Sequence, residues 1–256
     1  MTKDLFDRRL RAIRRDRAAS IGPEMFLLDR AFEDCLDRLR DIPRSFDHAL
    51  LVGCPSPAWP ALLGQFAAKI DVVDPGQAFA ARAGGIQVEE DRFDFGAERY
   101  DLCLAVGTLD TVNDLPLAFQ LLNRALKPDS PLIGAIAGGN SLPALRASLI
   151  DAGRSVGRVV ARAHPRIEPN SLAGLLLAAG FGMQVVDIDR VALRYASLDE
   201  LVRDLRAMGA TSVLASRPGA LGRAEAAAVR RAFDERGHEG RVEEMVEILH
   251  FLGWRI

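Results

Sequence analysis

An α/β fold built on a mostly parallel sheet is predicted by three observations. Apolar segments of strand length alternate with segments of helical periodicity up to residue 152. A tight turn at Gly53 follows the first apolar strand, and the second strand ends in Asp74 about twenty residues later. Alternating strands and helices form a sheet with helices on both faces, and right-handed crossovers restrict its topology. The turn and the acidic strand end are typical of a nucleotide-binding βαβ unit, in which a carboxylate meets ribose hydroxyls.

Two helices are predicted before the first strand. Residues 3–19 repeat Leu, Ile and Ala near helical spacing with Arg on the other faces, and residues 24–40 form a second helix that ends before Pro43. We interpret the first helix as a solvated amphipathic helix, with a basic lid or a partner-binding helix as the alternative. Residues 1–44 are therefore expected to form a helical extension or lid, and residues 45–256 the main domain.

The sheet itself is predicted from five apolar segments that are followed by turn or polar residues. These strands are 48–53, 70–74, 86–89, 101–106 and 131–137. The helices predicted among and after them are 58–68, 115–126 and 141–152. We expect the five strands to be mutually parallel, in the spatial order three-two-one-four-five.

The pattern changes after residue 153. Residues 154–168, which are rich in Arg and Gly, and residues 209–222 predict loops. Residues 184–195 alternate as a strand pair or as one long bent strand. The last segment, 241–252, fits a helix nearly as well as a strand. Further helices are predicted at 170–179, 197–208 and 223–236.

The composition is that of an ordinary soluble globular protein. Hydrophobic residues make up 49% of the 256 residues and charged residues 27%, so one large domain, or one domain with an appendage, can bury a sizeable core. The net charge of -2 gives no general reason to expect nucleic-acid binding. The N-terminus is charged from Lys3 onward and no apolar run reaches transmembrane length, so we expect no signal peptide, no membrane span and a cytoplasmic protein.

Cysteine and histidine indicate neither a metal centre nor a nucleophile. The cysteines Cys35, Cys54 and Cys103 lack metal-ligand spacing, and we interpret them as small core residues of a reducing compartment. The histidines are scattered, so we interpret them as surface or hydrogen-bonded residues. They are His48, His164, His238 and His250.

Acidic and glycine residues follow each predicted strand at one edge of the sheet. They are the turn 53–57, Asp74, Glu90 with Asp91, the segment 107–110 and Gly138-Gly139-Asn140. Parallel sheets bind ligands outside the carboxyl ends of their strands, beside strand one. We therefore expect Asp74 at ribose hydroxyls and an acidic side chain after strand three near an adenine amino group. Acidic residues that only form turns or cap helices are the alternative.

A series of short motifs extends along nearly the whole chain. They are Phe6-Asp7-Arg8, Arg17-Ala18-Ala19, Asp41-Ile42-Pro43-Arg44-Ser45-Phe46, Thr111-Val112-Asn113-Asp114-Leu115-Pro116, Leu126-Lys127-Pro128-Asp129, Gly138-Gly139-Asn140-Ser141-Leu142-Pro143-Ala144-Leu145-Arg146, Ala179-Gly180-Phe181, the segment 199–209 and Gly253-Trp254. Their order resembles the class I S-adenosylmethionine-dependent methyltransferases. Within that superfamily the chain is similar to the methyltransferase-like assembly factors of respiratory complex I, whose mitochondrial member is described as a protein-arginine hydroxylase. It is also similar to the malonyl-carrier-protein methyltransferases.

The resemblance implies a three-layer, Rossmann-like fold, the class I methyltransferase fold. Its seven-stranded sheet has an antiparallel last strand, which residues 241–252 would form here. The resemblance also implies S-adenosylmethionine as cofactor, and a protein substrate or a respiratory-complex subunit as partner. The residues that it places at the cofactor are Gly53, Cys54, Asp74, Asp91 and Gly107. No residue is assigned a catalytic role, and Asn113 with Asp114 is expected to begin a helix beside the substrate cleft.

Several residues depart from the family's Asp-Leu-Gly-Cys-Gly-x-Gly pattern. Leu51 replaces an Asp that helps to hold the cofactor's ammonium group, and Pro55 and Pro57 replace two glycines. Proline fixes φ at about -65° and has no N–H, so the cradle for the methionine end of the cofactor is lost. The aromatic residue that is common after strand four is also absent, since Asp110 and Thr111 stand there.

Two functions therefore stay open. The first is an enzyme that binds S-adenosylmethionine and modifies a protein side chain, by methyl transfer or by arginine hydroxylation. The second is a scaffold with a degenerate cofactor site that acts as an assembly chaperone. Trp59, beside the altered turn, is interpreted as a packed core residue rather than as a cover for the turn.

The same resemblance places the first helix and residues 154–168 over the cofactor-side mouth of the sheet. Their arginines predict a basic rim that speeds the encounter with an acidic protein partner. We therefore predict that changing Arg11, Arg14 and Arg15 together to Glu leaves the melting temperature nearly unchanged and slows association with a respiratory-complex subunit. The alternative is that these arginines only solvate the helix and the loop.

Overall fold

Seven strands form one mixed sheet in the part of the chain that this computed structural model describes, residues 4–155, 157, 161–216, 219 and 221–256. The strands are β1 (Phe46–Val52), β2 (Ala67–Asp74), β3 (Ile86–Gln87), β4 (Leu102–Val106), β5 (Pro131–Ala137), β6 (Phe181–Tyr195) and β7 (Val242–Arg255). Their spatial order is β3-β2-β1-β4-β5-β7-β6. The first five strands are parallel, and β7 runs antiparallel to β5 and β6. The predicted order three-two-one-four-five is confirmed, and residues 242–252 belong to the antiparallel strand β7.

Helices precede the sheet and connect its strands. They are α1 (Arg8–Ile21), α2 (Phe26–Arg40), α3 (Trp59–Leu63), α4 (Gln77–Arg82), α5 (Leu115–Ala125), α6 (Pro143–Ser155), α7 (Pro169–Ala178), α8 (Leu198–Ala207) and α9 (Arg223–Asp234). A short 3-10 turn, Leu109–Thr111, follows β4. Side-chain caps define two of the helix starts near the carboxyl edge of the sheet, because Asp7 accepts from the Leu10 amide and Asp114 from the Leu117 amide.

Two strands differ from the sequence prediction in ways that shape the edge. The predicted strand 86–89 shortens to β3, because the chain turns at Glu89, whose carbonyl accepts from the Arg92 and Phe93 amides. That turn carries three acidic residues, Glu89, Glu90 and Asp91. Residues 181–195 form one long strand with an irregularity between Gly182 and Val185, which decides between the two alternatives for that region.

Apolar side chains fill both faces of the sheet. On one face, Phe32 of α2 stacks on Trp59, with ring centroids 4.2 Å apart and planes 1° from parallel. The Trp59 indole Nε1 donates to Asp29 over 2.9 Å, so Trp59 is a packed core residue, as predicted. On the other face Phe119 of α5 meets Phe251 of β7 edge-on.

Two further observations concern the burial of the cysteines and the length and apolar character of the helices. Cys35, Cys54 and Cys103 are buried and free, and burial raises the pKa of the Cys35 and Cys54 thiols to about 12. Within the described residues, none of the helices combines the length and the apolar character that a bilayer crossing requires.

Candidate functional site

The turn after β1 is built around a glycine that no other residue can replace without strain. Gly53 has a φ of 82°, and its amide donates to the Val73 carbonyl over 2.8 Å. A Cβ at this position would lie 2.3 Å from the Val106 carbonyl oxygen, so the turn lies directly against β4. The next amide, that of Cys54, donates to Asp74 Oδ2 over 2.9 Å. The turn is thereby attached to the end of β2.

The residues that replace the family's Asp and glycines take structural positions. Leu51 is fully buried in the apolar cluster that packs against α2, with Leu104 on the adjacent strand. Pro55 is buried and Pro57 is exposed. Because proline has no N–H, the two prolines offer no backbone donors to a ligand at this turn.

Asp74 ends β2 and has no exposed surface. Its Oδ1 accepts from Arg15 Nε over 2.7 Å and from the Gly76 amide over 2.7 Å. Its Oδ2 accepts from Arg15 Nη2 over 2.5 Å and from the Cys54 amide. A carboxylate has about four lone-pair positions, so the hydrogen-bonding capacity of Asp74 is filled by the protein itself.

Glu90 and Asp91, in the turn after β3, are paired in the same way. Glu90 accepts from both Nη atoms of Arg11, over 2.6 and 2.8 Å. Asp91 accepts from both Nη atoms of Arg8, over 2.5 and 2.6 Å, and from the Asp114 amide over 3.1 Å. Although burial acts to raise it, the pKa of Asp91 is lowered by these hydrogen bonds and by the charge of Arg8.

We call Arg8, Arg11 and Arg15 the arginine row, and Asp74, Glu90 and Asp91 the carboxylate row. The arginines lie three and four residues apart, so they share one face of α1. The arginine row also donates to backbone carbonyls after β4, Arg11 to Thr108 over 2.7 Å and Arg15 to Gly107 over 3.3 Å.

The interpretation of α1 as a solvated helix is wrong. Arg11 is only 3% exposed and Arg15 only 5%, since each guanidinium is enclosed with its carboxylate. The sequence contained one signal for this that the analysis missed: arginines at helical spacing continue the same face as Ala18 and Ala19, which are also buried. The burial of Arg11 and Arg15 instead leads us to expect that reversing Arg11, Arg14 and Arg15 lowers the melting temperature.

Phe6 and Asp7 hold α1 at its N-terminal end. The Phe6 amide donates to Asn113 Oδ1 over 2.7 Å, and Asn113 Nδ2 donates to the Phe6 carbonyl over 3.0 Å. The Asp7 amide donates to the Val213 carbonyl, and Phe6 meets the ring of His164 edge-on. Asn113 thus lies beside the start of α5, as predicted, and its side chain forms hydrogen bonds with the backbone of Phe6.

His164 is a buried, neutral hydrogen-bond acceptor at this end. Its Nε2 accepts from the Val213 amide over 2.8 Å. Burial, together with the charge of the neighbouring Arg166, lowers the pKa of His164 to about 4. For His164 this agrees with the interpretation of the histidines as surface or hydrogen-bonded residues.

The far end of α1 packs on α4 and then leads into a turn. Ala18 and Ala19 lie against Phe79, and Asp16 accepts from the Ala78 amide over 2.8 Å at the start of α4. Gly22, with a φ of 92°, follows the last residue of α1 and is exposed.

A cavity of about 130 Å³ lies beside α1 at the carboxyl ends of β4 and β5. Most of its walls are apolar, from Leu27, Leu28, Ala31, Val106, Ala135, Val246, Ile248, Leu205, Met208 and Val213. Gly107, with a φ of 72°, lines it, and a Cβ there would lie 2.8 Å from Leu28. The polar groups in the wall include Asp110, which is ion-paired with Arg166.

Arginines of the loop 154–168 form ion pairs where they are described. Arg166 pairs with Asp110, and Arg162 donates to Glu225 over 2.9 Å. Residues 156 and 158–160 of the predicted basic rim lie outside the described residues. The described part of the rim is thus largely neutralised by carboxylates.

The residues that the sequence analysis placed at a cofactor do come together. Gly53, Cys54, Asp74, Asp91 and Gly107 lie at the carboxyl ends of neighbouring strands or in the turns that follow them. S-adenosylmethionine nevertheless does not fit the site as it stands in this structure. The ribose and adenine of S-adenosylmethionine would form hydrogen bonds with the carboxylate row. The arginine row already forms hydrogen bonds with those carboxylates, and α1 lies over them.

Comparison with known proteins gives relatives, two of which match nearly the whole of this chain. No protein-family model matches the chain. The arginine-hydroxylase NDUFAF5, mitochondrial, of Homo sapiens is 30% identical over 273 residues, which cover 99% of this chain and 78% of that protein. The same protein of Mus musculus is 29% identical over 98% of this chain. A malonyl-[acyl-carrier protein] O-methyltransferase of Laribacter hongkongensis is 31% identical over 62% of this chain.

Solved structures agree on the fold. The YcgJ protein of Bacillus subtilis superimposes with a TM-score of 0.59 at 12% identity, over 87% of this chain and 98% of that one. The BH2331 protein of Bacillus halodurans superimposes with a TM-score of 0.58. At this identity the likeness concerns the architecture alone, which is the Rossmann-like methyltransferase fold with antiparallel closing strands.

Proposed function

Because the chain belongs to the family of the arginine-hydroxylase NDUFAF5, we propose that it modifies a side chain of a protein substrate during the assembly of a respiratory complex. The observation that carries this proposal is the 30% identity to the human protein over 99% of the chain. A relation of that extent includes the N-terminal helices as well as the sheet. We consider two modifications. In methyl transfer, S-adenosylmethionine supplies the methyl group and leaves as S-adenosylhomocysteine, whereas arginine hydroxylation inserts one oxygen atom and needs an external two-electron oxidant.

We place the target guanidinium at Asp110 in the cavity beside α1, whose wall also carries Arg11, Arg15 and Arg166. Asp110 stands in its wall and already pairs with one guanidinium, that of Arg166. A planar guanidinium binds a carboxylate through two parallel hydrogen bonds, and the apolar walls would pack against the methylene groups of an arginine side chain. A substrate arginine would compete with Arg166 for Asp110.

Mass spectrometry of the assembled complex tests the proposal. A strain that lacks the protein is complemented with the parent chain, with Asp110→Asn, or with the matched control Asp47→Asn, whose side chain is exposed. We expect an arginine that carries one extra oxygen or one extra methyl group only in the strains with the parent and control chains. Identical arginine masses with and without the protein would contradict a modifying activity.

An assembly chaperone without catalysis is the second candidate. The specific observation in its favour is the closed carboxylate row, together with Leu51, Pro55 and Pro57 at the turn. In that case the respiratory complex fails to assemble without the protein, yet its subunits have the same arginine masses in both strains. The two measurements on one pair of strains separate the candidates.

We also propose a cytoplasmic location and a protein partner rather than a nucleic acid. The net charge of -2 supports the second part, since nucleic-acid binding needs a basic surface. The animal relatives are named as mitochondrial proteins. Fractionation of the source cells, with detection of the protein by antibody, tests the location.

A further inference from the structure

We propose that α1 is an intramolecular competitor of the cofactor, so that a nucleoside occupies the carboxylate row only when α1 undocks. This inference rests on the proposed function, because it concerns the S-adenosylmethionine site of that activity. Three arginines of one helix face three carboxylates of the fold's nucleoside site. The chain thereby supplies its own occupant for the place that a ligand would take.

The competition follows first from the hydrogen bonds. Each Asp74 oxygen already accepts from one Arg15 nitrogen and one backbone amide. A ribose diol binds such a carboxylate by donating its hydroxyl protons, and no acceptor position remains for them. Glu90 and Asp91 are each engaged through both oxygens by one guanidinium. A nucleoside therefore has to replace the arginines rather than add to them.

Space gives the second argument. A Cβ built on Gly76, in the turn after β2, would lie only 2.7 Å from the Cβ of Arg15. The helix itself, and not only the tip of the arginine side chain, lies against the turn. A change of the Arg15 rotamer would leave the helix in place, so access to Asp74 requires α1 to move as a body.

The chain is built in a way that permits this movement. The connection from α1 to α2 contains Gly22, which has a positive φ. A Cβ built on Gly22 would meet nothing within 4 Å. The neighbouring Ile21 is 53% exposed. Such exposed positions absorb the backbone rotation when a packed element swings away. Buried ion pairs also add little net stability, because desolvation of both partners opposes their attraction.

Affinity measurements on matched helix variants test the competition. The first variant is Arg11→Gln with Arg15→Gln, which removes two members of the arginine row. The control is Arg9→Gln with Arg17→Gln, since both side chains are exposed on the same helix. Isothermal titration with S-adenosylmethionine should give at least about tenfold tighter binding for the first variant than for the parent, because its binding-competent fraction is larger. The control should bind like the parent.

Hydrogen exchange of the parent chain supplies an independent readout. Addition of saturating S-adenosylmethionine should speed amide exchange in residues 8–21 and slow it at Cys54 and Gly76. Slower exchange in residues 8–21 would overturn the inference, since α1 would then close over the ligand. Equal affinity of the parent and the first variant would overturn it too, while leaving the proposed cofactor intact.

Failure of the proposed cofactor gives a different result. If neither the parent nor the folded first variant binds S-adenosylmethionine at millimolar concentration, both the cofactor and the competition are refuted. Should the first variant not fold, Arg15→Lys takes its place, because it keeps the charge and loses only the two-pronged hydrogen bond to Asp74. The expected order is then tighter binding by Arg15→Lys than by the parent, and unchanged affinity overturns the inference.

Discussion

The two N-terminal helices follow one another in the chain but dock on the sheet by opposite means. Helix α2 buries Phe32, Cys35 and Leu36 against the apolar face of the sheet. Helix α1 buries the smaller apolar residues Leu10, Ala18 and Ala19, and with them Arg11 and Arg15, which form ion pairs with carboxylates at the edge of the sheet. Apolar burial is non-directional and holds α2 whatever the ionic state, whereas the docking of α1 also depends on a particular set of charges. The difference separates a structural helix from one whose position can be conditional.

The largest effect should come from reversing charge in the arginine row. Changing Arg11, Arg14 and Arg15 together to Glu breaks two buried ion pairs, and removal of one partner of such a pair costs about 3–5 kcal/mol. We expect a marked fall of the melting temperature and exposure of residues 8–21 to proteolysis. The control Arg9→Glu with Arg17→Glu, at exposed positions, should melt close to the parent. A triple variant that melts like the parent would show that α1 docks without its ion pairs.

Removing the apolar contact of α2 should lower the free energy of unfolding by less than the charge reversal in α1. Phe32→Ala removes a ring that is 1% exposed and stacks on Trp59, so we expect a loss of about 3–5 kcal/mol in the free energy of unfolding. Urea denaturation measures the loss, and added salt should leave it unchanged. Phe26→Ala, at a ring that is 39% exposed, is the matched control. Similar losses for both variants would remove the distinction between the packed and the solvated face of α2.

Acidification should weaken the docking of the N-terminal segment through His164. Its pKa is about 4 in the folded chain against 6.5 ordinarily, so the unfolded chain binds more protons between these values. Stability is therefore complete above pH 6.5 and falls as the pH drops toward 4, by about 3 kcal/mol for a shift of this size. The charged groups that act on the pKa of His164 are Arg166, Asp110 and Arg146.

Urea denaturation at pH 7 and at pH 4.5 measures this pH dependence. His164→Asn should lose the part of it that His164 contributes, whereas His238→Asn, at an exposed histidine, should retain it. An unchanged profile for His164→Asn would mean that other groups cause the acid sensitivity.

The smallest effect is expected for the conservative change within the arginine row. Arg8→Lys keeps the positive charge beside Asp91 and loses one of the two hydrogen bonds, so we expect a loss of about 1 kcal/mol. Arg8 is partly exposed, which limits the cost. Differential scanning calorimetry on both chains measures this loss, and a loss as large as that of Phe32→Ala would contradict the inference that α1 can undock.

Local sequence patterns determined the sheet. Alternating strand and helix segments predicted the order of the first five strands, because apolar segments of strand length have to be buried between helices. The resemblance to a known family was needed for β7, since the period of residues 241–252 was ambiguous. The resemblance also predicted that Gly53, Asp74, Asp91 and Gly107 lie together at one edge of the sheet, where the carboxyl ends of parallel strands meet.

Only the tertiary structure decided what those carboxylates bind. The sequence by itself placed arginines on a helix and acidic residues at strand ends. Either kind of charged side chain can stay exposed to water without a partner. Arg15 meets Asp74 across 59 residues of chain and Arg11 meets Glu90 across 79, and no local period encodes such distances. Whether a charged helix face is solvated or paired depends on where the sheet edge lies when the chain has folded, because a guanidinium leaves water only where a carboxylate is already in place to receive it.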